Sequence, residues 1–158
     1  MAEKMTLIVF SGDMDKALAA FNLAIGAASI GMEVSMFFTF WGLNVIKKNE
    51  GPIKSKGIMR KMLNFMNRGG AKRLGLSKFH MFGIGKWMMG KLMKDTKSPS
   101  PQELMTIAHQ AGVKFIACTN SMGTMGIGKD AFIPEVDTYG GVATYLADAK
   151  DGRINLFI

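Results

Sequence analysis

The chain has 158 residues, the usual length of one domain, and carries 20 Lys+Arg against 12 Asp+Glu, a formal net charge of +8. One Cys excludes an internal disulfide, and with two His it cannot complete a four-ligand zinc site without carboxylates; no CxxC or HxxxH spacing exists. At 48% hydrophobic and 20% charged the chain is globular rather than disordered, and the scarcity of Cys suits a reducing compartment, here the cytoplasm.

Met1–Lys4 does not open a signal peptide, because the apolar run Met5–Phe10 is too short and no small-residue cleavage site follows. Met5–Phe10 instead predicts a strand covered on both faces. Ser11-Gly12-Asp13 turns the chain, with Ser11 or Asp13 available to cap the helix predicted over 14–30. Leu18, Phe21, Ile25 and Ala28 recur there at helical spacing, and Gly31 ends it. Glu33–Phe40 predicts the second strand. Residues 17–46 hold one charge, Glu33. Their mixed period and interspersed polar residues favour a buried helix followed by a buried strand over a membrane span.

The middle of the chain differs in kind. Residues 47–97 hold 14 Lys+Arg and two acids, a net of +12, whereas the other 107 residues sum to −4. Seven of the 15 Met lie between Met59 and Met93. The stretch 58–67 places Met59, Met62, Leu63 and Met66 on one helical face. The stretch 84–93, with Trp87, Met88 and Leu92, offers a second amphipathic segment. A further strand is expected near Leu76–Met81. This basic Met-rich insertion has three readings: a nucleic-acid surface, which is disfavoured; a membrane-docking surface; and a helical lid packed on the domain or on another copy, which is preferred because Met adapts to varied surfaces.

Ser100-Pro101-Gln102-Glu103 opens a helix with a capping box and Pro at its first position. Val113–Cys118 is the third strand of the pattern. Asp137 or Thr138 is expected to start a helix with Val142, Tyr145, Leu146 and Ala149 on one face, and Ile154–Ile158 to form the last strand. Strands alternating with helices imply a three-layer α/β/α sandwich around a mainly parallel sheet of about five strands.

Cys118 ends a predicted buried parallel strand. Ligands of open parallel sheets sit beyond the carboxyl ends of strands, where unpaired N–H groups can favour a thiolate. Other polar residues share that edge: Ser11, Gly12 and Asp13 after the first strand, Thr39 and Trp41 after the second, and Asn120, Ser121, Met122 and Gly123 after Cys118. They are candidates for substrate binding and thiolate stabilisation. The alternative is that Cys118 is a small buried hydrophobe and the others are turn and cap residues. Gly123–Asp130 nearly matches a phosphate-binding loop, but Asp130 replaces the needed hydroxyl and Pro134 bars a following helix. His80 and His109 have no matching partner pattern. No metal and no cofactor is expected.

These residues together resemble the DsrE/DsrF-like family, in particular its DsrE2-like branch of sulfurtransferase-type proteins, sometimes labelled peroxiredoxin-like. The resemblance rests on the Ser11–Asp13 turn, the FTFWGL segment Phe38–Leu43, the basic Met-rich middle, the SPQELMTIAHQAGVKFIAC unit, and above all the string from Cys118 to Gly126. It covers nearly the whole chain, as a single domain 1–158 with the insertion at about 47–97. It implies a five-stranded parallel sheet between helices, homo- or hetero-oligomers (homo-oligomers being expected here), and sulfane sulfur carried as a persulfide, a role that falls on Cys118. The peroxiredoxin label fits poorly, since no Thr-x-x-Cys pattern exists. The expected partners are sulfur donor and acceptor proteins or small thiols. The competing expectation is a non-enzymatic homo-oligomeric binding module, associated with membrane surfaces through the basic segment.

Overall fold

A computed structural model describes residues 2–158. Five strands form one parallel sheet in the order β4-β3-β2-β1-β5: β1 (Lys4–Val9), β2 (Glu33–Phe38), β3 (Lys114–Cys118), β4 (Thr138–Gly140) and β5 (Gly152–Phe157). Parallel pairing requires a crossover between neighbours. The helices α1 (Met14–Ser29), α4 (Pro101–Gln110), α5 (Thr119–Met125) and α6 (Val142–Ala149) lie in those connections. Two further helices, α2 (Ile58–Met66) and α3 (Ile84–Asp95), occupy the basic middle segment.

Alternation along each strand divides the core in two. Leu7, Val9, Met36, Phe38, Phe115 and Ala117 face α1 and α4, with Phe21 of α1 packed against the Phe38 and Phe115 rings. On the other face, Phe37, Ile116 and Cys118 pack with Tyr145 and Ala149 of α6. The Tyr145 hydroxyl meets Thr6 Oγ1 of β1 at 3.1 Å, which satisfies two buried polar groups on the thinner side. Helices therefore cover both faces, as the α/β/α reading expects. Residues 17–46, the most apolar stretch, are divided between α1, the sheet and a 3₁₀ turn, Phe40–Val45. No helix among the described residues is long and apolar enough to cross a membrane.

Two sequence expectations are corrected. Leu76–Met81 forms no strand. The remaining strand, β4, lies at Thr138–Gly140, where a helix was expected to begin. Asp137 explains the shift: its carboxylate accepts the Phe115 N–H at 2.8 Å, and its own N–H donates to Phe115 O at 3.0 Å. Tied twice to β3, Asp137 holds the next three residues beside that strand and cannot cap a helix. The helix begins after Gly141, with Tyr145 and Ala149 buried but Val142 and Leu146 exposed.

The capping box of α4 forms as read. Ser100 Oγ accepts the Glu103 N–H, and the Glu103 carboxylate accepts the Ser100 N–H at 2.7 Å. Asp13 occupies the N-cap position of α1, but its side chain accepts no helix N–H; its carboxylate accepts from Ser11 Oγ at 2.8 Å and pairs with Lys16 of the helix at 3.2 Å.

Candidate functional site

Cys118 is the last residue of β3 and the N-cap position of the seven-residue α5. Its side chain is 2% exposed, facing Phe37, Ile116 and Tyr145. Four polar groups from three residues converge on it. Ser121 Oγ donates to Cys118 Sγ at 3.6 Å. With its proton on sulfur, Ser121 Oγ accepts from the Phe40 N–H at 3.1 Å and lies 3.0 Å from Thr39 Oγ1. The Thr39 hydroxyl also reaches the thiol, as do the Ser121 and Asn120 N–H groups at the start of α5.

Burial is the largest single influence on the thiol and pushes its pKa up. Together the hydrogen bonds, from Thr39 first and then Ser121 and Asn120, outweigh it and hold the thiol below its ordinary value of 9.0. Donors aimed at sulfur favour the anion because it is the better acceptor. A thiol in an apolar pocket without such donors shifts the other way.

The donors are positioned by the register of the sheet. Phe38 pairs with Ala117, which brings the residues after β2 level with Cys118. The chain then turns sharply at Phe40, whose φ of 52° lies in the left-handed region that non-glycine residues avoid. Such a residue costs of order 1–3 kcal/mol and persists where its surroundings fix it. Here the Phe40 N–H bond to Ser121 Oγ contributes to that restraint. Sequence reading passed over Phe40 because aromatic residues carry no signal for positive φ.

The predicted site residues fall into two groups. Thr39, Asn120 and Ser121 gather around Cys118. Met122 is buried in the core beneath α5, and Gly123 faces open space. Ser11, Gly12, Asp13 and Trp41 line a separate cavity with Asn44, Asn67, Arg68 and Arg73. They make no hydrogen bond to the sulfur among the described residues, so the structure gives them no part in stabilising the thiolate. Gly12 is required by crowding, since a Cβ there would lie 2.8 Å from Trp41 O. Lys129, from the near-match to a phosphate loop, stacks its ammonium 4.8 Å from the Tyr139 ring centroid. His109 meets Asp137 at 3.4 Å, and His80 Nδ1 accepts the Leu76 N–H. Among the described residues no three His, Cys, Asp or Glu side chains gather as a metal site would need.

The fold and the edge thiol define a class: parallel α/β domains with a single cysteine at the carboxyl end of an inner strand. The chain belongs to the DsrE/DsrF/DrsH-like family, whose model matches residues 1–157. It is 42% identical to the protein YrkE of Bacillus subtilis over 156 residues, covering 99% of this chain and 97% of that one. It is 33% identical to the sulfur carrier protein DsrE2 of Allochromatium vinosum over 164 residues, covering 99% and 98%. Two solved structures share the fold: ychN protein from E. coli (TM-score 0.58, 12% identity, 100% of both chains) and MTH1491 from Methanobacterium thermoautotrophicum (TM-score 0.56, 11% identity, 99% of both).

Proposed function

We propose that this protein relays sulfane sulfur, carried on Cys118 as a persulfide, between the thiols of partner proteins or small molecules. The carrying observation is the set of donors from Thr39, Ser121 and Asn120 that favours the thiolate within an otherwise apolar pocket. The family, and a relative named as a sulfur carrier, point the same way.

The Cys118 thiolate attacks the outer sulfur of a donor persulfide. A new S–S bond forms, the donor's S–S bond breaks, and the donor departs as a thiolate. An acceptor thiolate then attacks the outer sulfur of the Cys118 persulfide, and Cys118 leaves as thiolate. Each transfer exchanges one S–S bond for another, so neither needs an oxidant. The same donors that hold the thiolate would steady the anionic persulfide. With a single Cys in the chain, the second thiol of each exchange belongs to another molecule. Self-association and a cytoplasmic setting belong to this proposal.

Incubation with a persulfide donor followed by mass spectrometry tests it. One added sulfur on the wild-type chain and none on Cys118→Ser is the expected result; unloaded wild type or equally loaded Cys118→Ser defeats it. Ser121→Ala should slow loading and alkylation of Cys118 several-fold at neutral pH, because the thiolate loses its hydroxyl donor.

A second reading draws on the 2% exposure of Cys118 and on the apolar surfaces elsewhere. In it, Cys118 is a packing residue and the protein is an assembly module, meeting its own copies or a membrane surface through 58–93. A thiol that stays unreactive up to pH 9 favours this module. Liposome sedimentation with and without 58–93 tests the membrane surface.

A further inference from the structure

The cavity beside the Ser11–Asp13 turn has a volume of about 400 Å³ and is lined by Asn44, Asn67, Arg68, Arg73, Ser11 and Asp13, among others. Beneath it lies Lys47, fully buried. The Lys47 ammonium donates to Asn44 Oδ1 at 2.7 Å and to the Asn67 carbonyl at 3.0 Å. An ammonium only donates, so Asn44 must turn its oxygen to Lys47 and its amide nitrogen away. That nitrogen donates to Asn67 Oδ1 at 2.7 Å. Asn67 in turn is left with its own amide nitrogen, which is shielded from solvent and has no acceptor. One buried charge thus sets both amides and leaves a donor unused beside the cavity.

Arg68 repeats the pattern. Its Nη2 donates to Glu50 O at 2.6 Å, while Nη1 is shielded and unpartnered. Buried donors without acceptors are uncommon and call for an explanation. Lys47, Arg68 and Arg73 form no ion pair among the described residues. Asp13 is the one carboxylate lining the cavity, and Lys16 and Ser11 already engage it. Burial and then Arg68 hold Lys47 down at about 8, and burial and then Arg73 lower Arg68, as expected of cations crowded together without an anion. Gly69 and Gly70, both at positive φ, close the loop over this group, and Gly70 N–H donates to Asn44 O at 2.8 Å.

We propose that this cavity binds the oxyanion head, carboxylate or phosphate, of a small-molecule ligand. The anion supplies the negative charge that Arg68 and Arg73 lack, and a turn of the Asn67 and Arg68 side chains, whose unpartnered nitrogens are shielded from the cavity, brings those donors to it. Guanidinium groups suit this ligand because their paired N–H groups match the spacing of two oxyanion oxygens. The site is distinct from the thiol, and it does not depend on Cys118 being reactive.

The full chain is titrated calorimetrically in a Tris chloride buffer with inorganic phosphate and, separately, with succinate. The expected result is saturable binding of at least one probe, weakened about tenfold by Arg68→Gln and by Arg73→Gln and unchanged in Lys61→Gln, which removes the same charge from the exposed face of α2. Preference for phosphate assigns a tetrahedral head, and preference for succinate a carboxylate. Absence of saturable binding of both probes, or equal weakening by Lys61→Gln, overturns the site. If Arg68→Gln fails to fold, Arg73→Gln decides, because the Arg73 side chain is exposed.

Discussion

Two helices of this chain carry apolar faces of similar legibility and treat them oppositely. Helix α1 buries Met14, Ala17, Phe21 and Ala24 against the sheet. Helix α2 buries only Asn64 and leaves Met59, Phe65 and Met66 at 81%, 86% and 78% exposure. Its Asn64 amide donates to Met125 O at 2.9 Å, and half-buried Leu63 packs against the core beside it. Of the face read as packed on the domain or on another copy, Leu63 packs against the core while Met59, Met62 and Met66 do not; for those three, contact with another copy stays a proposal. The difference shows that periodicity reports a face able to be buried; the partner must come from elsewhere.

The sharpest way to break this contrast is to truncate one side chain from each region. Phe115→Ala in the core should cost about 3–5 kcal/mol in urea unfolding, whereas Met62→Ala on α2 should stay within about 0.5 kcal/mol. Comparable losses would mean that the Met face is packed in solution.

The next effect concerns Lys47, where the two regions join. With its folded pKa at about 8 and its ordinary value at 10.5, the unfolded chain binds more protons between those values. Stability should therefore rise with pH across that window, because the charged form of Lys47 is the one penalised by burial. The denaturation midpoint of wild type should climb relative to Lys47→Met between pH 8 and 10; parallel profiles would contradict it.

Smaller again is the cap that restarts the sandwich after the basic segment. Ser100→Ala removes the hydroxyl acceptor for the Glu103 N–H and should destabilise by about 1 kcal/mol, read from thermal or urea unfolding. The same change at Ser98, whose hydroxyl meets only Thr96 Oγ1 at 2.9 Å, should leave stability unchanged within about 0.5 kcal/mol.

Elements set by local chemistry were legible before the structure. Pro101 and Glu103 flanked by Ser100 mark a helix start wherever they occur, and the run Met5–Phe10 has no stable place except a covered strand. The one misplaced strand depended on Asp137, whose carboxylate reads as a cap until β3 lies beside it to accept from. The site divides in the same manner. Cys118, Asn120 and Ser121 are neighbours in sequence, so their meeting needed only the strand-to-helix turn. Thr39 joined them correctly because parallel register brings strand ends level. Ser11, Asp13 and Trp41 share that edge but line another cavity, because they lie in the turns beyond β1 and β2, where strand register no longer aims a side chain.

The amino-acid sequence alone determined that this is a parallel α/β domain with one thiol at the edge of its sheet, because apolar period and turn chemistry are local and the lone Cys is a matter of counting. Only the tertiary structure decided what surrounds that thiol, and that Lys47, Asn44 and Asn67 form one donor chain beside Arg68. Those contacts join residues up to 82 positions apart around the thiol and 23 around the lysine. Their energy comes from shared burial, which no single stretch of sequence contains.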